Sequence, residues 1–521
     1  MADPAKTPAR TSLAGPPERR SGPGRPPSAL RSAALPPPGR APFRIVVHAV
    51  GWLLVLLAGA MLLPMSVDLA EGHPDWEGFA GAALATVFVG TALLLATRGP
   101  LPPIDLRTGF LLTSLTWAAV AWFASLPFQL GSVHLSITDA VFETVSGLTT
   151  TGATVIVGLD AAPRGLLLWR SLLQFVGGAG IVLIGLVMLP FLRIGGMQLF
   201  RTESSDKSDK LLPTTGALVA RLLGVYLVLV AACTIALTTV GLDLFDAVNH
   251  AMTAVSTGGF STRDASIGAF ANPAVEWVLI VFMLAGGLPF MRYLAILQGR
   301  PELFSSDTQI RVFLVIVLGV ALPLAAWLAI VHGRAPLDAL RAALFNIVSV
   351  ITTTGFASED YQLWGTPVLG LFLAITVLGA CTGSTAGGIK IFRVQILWTA
   401  SLLYVQSLIL PSRVIRSRYA GRPIDRELIG SVLSFVFFFI GSWGVFTVLL
   451  SALGLDLVTA ISGAATALAN VGPGLGAIIG PAGNFQPLSD PVKWLLVLAM
   501  LLGRLEFFTL LVLLHPAFWR R

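Results

Sequence analysis

Charge is the first scarcity. Only 12% of the 521 residues are Asp, Glu, Lys or Arg, while 55% are hydrophobic, and the mean hydropathy is +0.82. Soluble domains carry about 25% charged residues. A chain this long with half that proportion cannot cover its surface with polar groups, which excludes both an ordinary water-soluble enzyme and a disordered chain. Cysteine is nearly absent: Cys233 and Cys381 both lie inside apolar segments, so neither a disulfide framework nor a thiolate metal site is expected. Histidine is sparse and scattered. His48, His73, His134, His332 and His515 fall at span ends or outer loops without metal-ligand clustering, and His250 falls in a short apolar segment where it packs.

What is present is apolar length. Stretches of about 20 apolar residues span a bilayer as helices, and they occur near 45–65, 79–97, 108–130, 166–192, 222–241, 274–297, 312–331, 366–405, 428–454 and 492–516. Ten crossings put both ends on one side. The segments near 193–221, 298–311 and 406–427 carry Arg193, Arg201, Lys207, Lys210, Arg221, Arg300, Arg311, Arg413, Arg416, Arg418, Arg422 and Arg426, whereas 66–78 has acids and no Lys or Arg. The excess of positive charge marks the cytoplasmic face, so both termini are expected there. The opposite face keeps Arg164, Arg170, Arg263, Arg334, Arg341 and Lys493. Most of the formal charge of +7 belongs to residues 1–44, a Pro-rich basic stretch that reads as a flexible cytoplasmic tail, solvated or in contact with anionic lipid.

Beyond the two leading spans (45–107), one unit repeats four times, over 108–221, 222–311, 312–427 and 428–521. Each unit holds a span, a short apolar segment, a Gly-containing loop and a second span. The short segments are 137–147, 244–256, 337–350 and 457–469, too short to cross and therefore expected as half-helices. Each runs into a loop, TTTGAT, STGGFS, TTTGFA or ANVGPG, and Gly152, Gly259, Gly355 and Gly472 fall in one column. Internal similarity at intervals of about 100 residues marks a repeat architecture.

Irregular backbone at membrane depth persists only where it is buried or lines a water-filled path. Glycine lets successive carbonyls turn toward an axis, and four such loops would form rings of oxygens able to replace an ion's water shell. The C-terminal, partly negative ends of four half-helices would face the same path. Nothing in the loops titrates, so selection would rest on dipoles. Any one loop alone reads better as a Thr/Gly packing turn; four in register favour the ion path. The predicted fold class is thus an all-α polytopic membrane protein, with two leading transmembrane helices and four pseudo-symmetric helix–pore loop–helix repeats around one central pore.

Two further features stand out. The span 366–405 is twice the length a bilayer needs, and its middle, 379–390, holds Gly383, Ser384, Thr385, Gly387 and Gly388, a composition that predicts an unwound intramembrane loop. It lacks the strand and Gly-Lys-Ser/Thr run of a phosphate loop. Arg504 sits at the centre of the last span, where insertion costs about 2.5–3.5 kcal/mol unless the charge is paired or hydrated. It either faces the cavity as a barrier to cations or is pinned by loop carbonyls to hold packing. Glu506 is too close along the chain to share its helix face, and Lys390 reads as an inner-interface anchor. Asp139, Asp246 and Asp338, near the starts of the half-helices, suit the positive helix end or attract cations to the mouth.

These motifs resemble the Trk/Ktr/HKT superfamily of potassium transporters and its TrkH-type bacterial branch, from about residue 45 to the end. The four loops are similar to the family's filters, including the atypical NVGPGLG (470–476), and GGMQLFRTESSDK (195–207), QFVGGAGIVLIG (174–185), GACTGSTAGGIK (379–390) and GRLEFFTLL (503–511) carry the resemblance further. It implies K+ as the transported ion, with no organic cofactor, bound by carbonyls of Thr150, Thr151, Gly152 and Ala153; Thr257, Gly258, Gly259 and Phe260; Thr353, Thr354, Gly355 and Phe356; and Asn470, Val471, Gly472 and Pro473. Gly258 departs from Thr151 and Thr354 at its position, with no effect assigned. The resemblance also implies a gate formed by loop 379–390 with Arg504, a homodimer in the bacterial inner membrane, and a cytosolic nucleotide-binding regulatory ring. Membrane lipid is the other expected contact; nucleic acid is not expected. A less selective Na+/K+ pathway and a channel without a coupled ion stay open. A membrane-embedded enzyme would need paired carboxylates, a His–metal cluster or a Ser/Lys pair at depth, so no enzymatic activity is expected.

Overall fold

Each of the four half-length segments is a helix ending at its glycine-bearing loop: Ile137–Leu148, Leu244–Val255, Pro336–Ile351 and Leu457–Ala469. The computed structural model describes residues 41–101, 105–187, 215–410, 418–419, 422–423 and 426–520. Residues 1–40, the connection 195–207, and Arg193, Arg201, Lys207, Lys210, Arg413 and Arg416 lie outside the described residues. Local chemistry starts these short helices. Ser136 accepts from the Asp139 amide, Asp243 from the Phe245 amide and Asp456 from the Thr459 amide, while Pro336 opens the third. Side-chain caps and an N-terminal proline satisfy or remove amides that no helical carbonyl can reach.

The spans around them are of two kinds. First helices of the repeats include Thr308–Val331 and Arg426–Ala452, whose most apolar windows are only 28% and 22% buried, as expected of helices facing lipid. Both spans of the first repeat are more enclosed, Arg107–Leu130 at 56% and Arg164–Val187 at 61% buried over the corresponding windows. Seven described helices are long and apolar enough to cross a membrane. The expected spans 274–297 and 492–516 are instead bent pairs: Pro273–Gly287 meets Phe290–Leu297 at 93°, and Asp490–Arg504 meets Phe508–Leu514 at 112°. The eighth expected crossing, 366–405, is divided into Thr366–Thr376 and Ile391–Ile409 by the non-helical segment 377–390. Second helices are therefore broken in three of the four repeats. Among the described residues the only strands are Arg418–Tyr419 and Arg422–Pro423, an antiparallel pair with Arg418 opposite Pro423 and Tyr419 opposite Arg422.

The two leading helices, Ala41–Glu71 and Asp75–Ala96, dock on the first repeat through acids that the sequence placed in a surface segment. Asp68, fully buried, accepts from the Gly165 amide at 2.7 Å, and Asp75 accepts from the Ser132 amide at 2.9 Å. Both carboxylates bond amides that would otherwise lack a partner, so part of the acidity of 66–78 is structural.

In three repeats the second helix rests on the end of the short helix through a glycine. A Cβ added to Gly177 would lie 2.0 Å from the Leu148 carbonyl oxygen; the matching distances are 2.7 Å for Gly286 to Val255 and 2.0 Å for Gly503 to Leu468. Small residues allow backbones in membrane proteins to approach this closely. Gly177→Val is expected to push the first half-helix out of place and destabilise the fold by about 1–3 kcal/mol, the usual cost of overpacking. A lowered unfolding midpoint of the detergent-solubilised protein, relative to a lipid-facing control such as Val315→Ala, measures the effect.

Candidate ion pathway

The first residue of each loop has left-handed backbone: Thr150 at φ 51°, Thr257 at 52°, Thr353 at 57° and Asn470 at 57°. Three of the four are β-branched, for which a positive φ is a true outlier. Such residues cost about 1–3 kcal/mol each and persist where their surroundings over-determine them. Here the same hydrogen bond recurs at each turn. The next amide reaches five residues back, Thr151 to Ser146, Gly258 to Thr253 and Thr354 to Ser349 at 2.8 Å, and Val471 to Thr466 at 3.0 Å. This is the bonding of a Schellman helix end, in which glycine is the usual left-handed residue.

The aligned glycines follow, with Gly152 at φ 85°, Gly259 at 78°, Gly355 at 84° and Gly472 at 110°. Their surroundings fix the arrangement of the loops. A Cβ on Gly152 would lie 2.2 Å from the Gly258 oxygen, on Gly259 1.8 Å from Thr354, on Gly355 1.9 Å from Val471, and on Gly472 2.7 Å from Thr151. First loop meets second, second third, third fourth, and fourth first. The cycle closes, so the four loops surround one axis, each presenting the carbonyl of its second residue to the glycine of the loop before it. The fourth residues Ala153, Phe260 and Phe356 are buried, and Pro473 is half-buried.

Behind the first two loops lies a buried ion pair. Arg170, 1% exposed, donates from Nε to Glu143 at 2.8 Å and from Nη1 to the Ser261 carbonyl at 2.7 Å, with its guanidinium 4.2 Å from the centre of the Phe260 ring. Glu143 accepts from the Val155 amide at 2.9 Å and the Thr154 hydroxyl at 3.0 Å. The pair straps one loop to the next. The sequence suggested a surface charge on the outer side for Arg170; its partner lies one half-helix away, and only the fold brings them together. The outer acids are engaged too: Asp139 by Lys493 at 2.6 Å, Asp246 by Arg263 at 2.8 Å and Asp338 by Arg341 at 3.0 Å. His250 packs as expected, fully buried, with Nε2 2.9 Å from the Ser261 hydroxyl.

The non-helical segment 377–390 lies directly against this ring. The Gly387 amide donates to the Thr353 hydroxyl at 2.7 Å, and the Thr257 hydroxyl bonds that of Thr385 at 3.1 Å. A Cβ on Gly387 would meet the Ala469 oxygen at 2.2 Å. On the other side the segment joins the bend of the second repeat. The Phe290 amide donates to the Gly383 carbonyl at 2.9 Å and the Cys381 amide to the Gly287 carbonyl at 3.1 Å, while the Ser384 hydroxyl bonds the Cys381 carbonyl. Gly383 and Gly388 have positive φ, 78° and 64°.

Arg504 is 3% exposed, and its Nε and Nη2 have no hydrogen-bond partner. Its guanidinium lines a cavity with Gly383, Ser384, Gly387, Gly388 and Lys390. Carbonyls of the segment do not hold those two nitrogens, so nothing pins them to the loop as the packing alternative requires. Two expectations need correction. The last span does not continue through Arg504: the helix stops there, Glu506 turns to φ 58°, and the chain bends by 112°. The bend takes Glu506 to Arg393, which it pairs with while Arg393 stacks 3.5 Å from the centre of the Phe435 ring. Lys390 is not at an interface; its Nζ bonds the Ala386 carbonyl beside Arg504. With Glu506 committed to Arg393, Lys390 and Arg504 leave the cavity wall positive.

Four half-helices aimed at one ring of carbonyls, with a positive cavity wall against the loop beside it, define a membrane protein built for cations. The family model for TrkH, a cation transport protein, matches residues 77–521. The chain is 45% identical over 478 residues to the Trk system potassium uptake protein TrkI of Halomonas elongata, covering 91% of this chain and 96% of that one. It is 35% identical over 483 residues to the Trk system potassium uptake protein TrkH of Escherichia coli K12, covering 92% and 99%. The crystal structure of the potassium transporter TrkH from Vibrio parahaemolyticus superposes with a TM-score of 0.85 at 34% identity, over 92% of this chain and all of that one. The chain belongs to the TrkH family of cation transport proteins.

A side chain at Gly355 would have to displace the Val471 carbonyl. Gly355→Ser is therefore expected to reduce preference for K+ over Na+ about tenfold, the equivalent of roughly 1.4 kcal/mol. Competition of the two ions in an uptake assay measures it.

Proposed function

We infer that this protein takes up potassium across the bacterial cytoplasmic membrane, as a multi-pass protein with both termini inside. The observation that carries the reading is the closed cycle of four glycine-bearing loops. A cation on that axis meets backbone oxygens on all sides and the negative ends of four half-helices, without a titratable side chain in the loops. Thr150–Ala153, Thr257–Phe260, Thr353–Phe356 and Asn470–Pro473 act as the selectivity filter. Oxygens held at fixed spacing replace the water shell of a weakly hydrated ion at less cost than that of sodium, whose shell is tighter.

The segment 379–390 and Arg504 act as the gate. At an effective dielectric of about 20, a cation about 5 Å from one unit charge is repelled by about 3 kcal/mol. That is close to a hundredfold in rate. Moving the segment and the Arg504 side chain aside would remove steric and electrostatic barriers together. The named relatives are components of Trk systems; the form we propose for this chain is a homodimer working with a cytosolic nucleotide-binding regulator. That regulator is expected to engage the basic stretch 406–427.

Purified protein in proteoliposomes tests the reading. Rubidium uptake should exceed sodium uptake; equal uptake of both ions would remove the selectivity claim, and no uptake of either with a competent partner present would remove transport. Arg504→Ala should raise basal flux by roughly tenfold to a hundredfold, and unchanged flux would reduce Arg504 to a packing residue.

A further inference from the structure

The second loop differs from the others, and the difference has a physical cause. At the second loop position the first and third loops carry Thr151 and Thr354, whose hydroxyls bond Thr149 at 2.7 Å and Thr352 at 2.8 Å. The second loop has Gly258 there. Its backbone does not require glycine, since it is not among the residues of positive φ. Space requires it: a Cβ would lie 2.4 Å from both Cδ and Oε1 of Gln174.

Gln174 comes from the second helix of the first repeat and is fully buried. Its carboxamide grips the second loop at both ends. Nε2 donates to the Gly258 carbonyl at 2.6 Å, and Oε1 accepts from the Phe260 amide at 3.0 Å. The Gly258 carbonyl is the one against which Gly152 of the first loop packs. Among the described residues, the corresponding carbonyls of Thr151, Thr354 and Val471 receive no side-chain hydrogen bond. One quadrant of the ring is thus oriented by an amide donor from behind. A carbonyl accepts through two lone pairs, so a donor on one leaves the other for an ion while fixing its direction.

We propose that Gln174 is a specificity-determining positioning residue: its carboxamide stands in for the side chain missing at Gly258 and sets where that carbonyl sits on the ion path. This rests on reading the ring as a potassium filter. The helix that carries Gln174 thereby contributes to selectivity although none of its own atoms belongs to a loop. A consequence is that the two positions are exchangeable as a pair but not singly. The hydroxyl introduced by Gly258→Thr has a counterpart in Ser256, which occupies the position of Thr149, but only once Gln174 has vacated the space.

The test is rubidium uptake with sodium competition in proteoliposomes, alongside an unfolding midpoint for each variant. Gln174→Met keeps the volume and loses both hydrogen bonds. It should lower the rubidium-over-sodium preference about tenfold while uptake stays above that of protein-free vesicles. Gly258→Thr alone should lower the preference as well, through the clash. Gln174→Ala combined with Gly258→Thr should restore it to within about twofold of the parent. A preference unchanged by Gln174→Met overturns the assignment, as does a double variant no better than the worse single one. A variant whose midpoint falls while its preference holds shows a purely structural role and also overturns it. A parent protein with no preference for rubidium would instead defeat the underlying filter reading, so the two failures are distinguishable.

Discussion

The glycine of each loop lies against a carbonyl of the next loop with no room for a methyl group, and this contact closes on itself after four steps. A closed cycle of hard contacts has a property that a row of contacts lacks: no member can move toward the axis without displacing its neighbour. The radius of the ring is therefore a collective quantity, set by four backbone contacts at once. Dipoles alone attract every small cation, so discrimination between two monovalent ions depends on resistance to collapse. Close-packed interiors supply such resistance because they deform little under load.

That rigidity is reinforced from outside. The pair Arg170–Glu143 ties the first loop to the second at two points each. A buried ion pair contributes little net stability against an apolar replacement, whereas removal of one partner costs about 3–5 kcal/mol. Its value here is positional: directional bonds hold two loops in a fixed relation that apolar packing would leave free to slide. The left-handed threonines fit the same account. Three strained β-branched residues are retained where glycine would relieve the strain, and two of them use the retained hydroxyl, Thr257 and Thr353, to reach the neighbouring segment 377–390.

Much of this arrangement is legible in the sequence because it is local. Half-length apolar segments, the glycine column and the small-residue run at 379–390 each depend on a few neighbouring residues, and the helices begin and end within a residue or two of where the pattern placed them. What stayed hidden is non-local. Asp139 and Lys493 lie 354 residues apart, as Arg393 and Glu506 lie 113 apart, and no spacing rule connects them. A lone acid near a helix start reads as a helix-end charge or an ion attractor until its cation is seen. The break at Arg504 was hidden for another reason. Its sequence, Gly503-Arg504-Leu505-Glu506, carries no proline, and the unbroken apolar pattern on either side favours a straight helix; tertiary contacts at Glu506 override it. The left-handed threonines had no signal either, since threonine is a poor candidate for that conformation.

The symmetry of the repeats is broken where the proposed gate requires it. Around the ring, the four units superimpose in turn type, hydrogen bonding and glycine contact. On the side of segment 377–390 they diverge: the first repeat keeps a continuous helix over Arg164–Val187, while the other three break. The breaks are not independent, because the Phe290 and Cys381 amides join the bend of the second repeat to the broken segment of the third. The ring in turn bonds that segment through Thr257 and Thr353, and the fourth loop bonds the last span through Asn470 to the Met500 carbonyl, one turn before Arg504. A neutral hydrogen bond contributes about 0.5–1.5 kcal/mol net, so the few bonds between ring and segment hold the two together at a total cost of only a few kcal/mol to separate. The same bonds make release visible to the ring: once Gly387 leaves Thr353, a strained residue loses the partner that justified its strain. If segment 377–390 moves as the proposed gate, the ring feels that movement through the hydroxyls of Thr257 and Thr353.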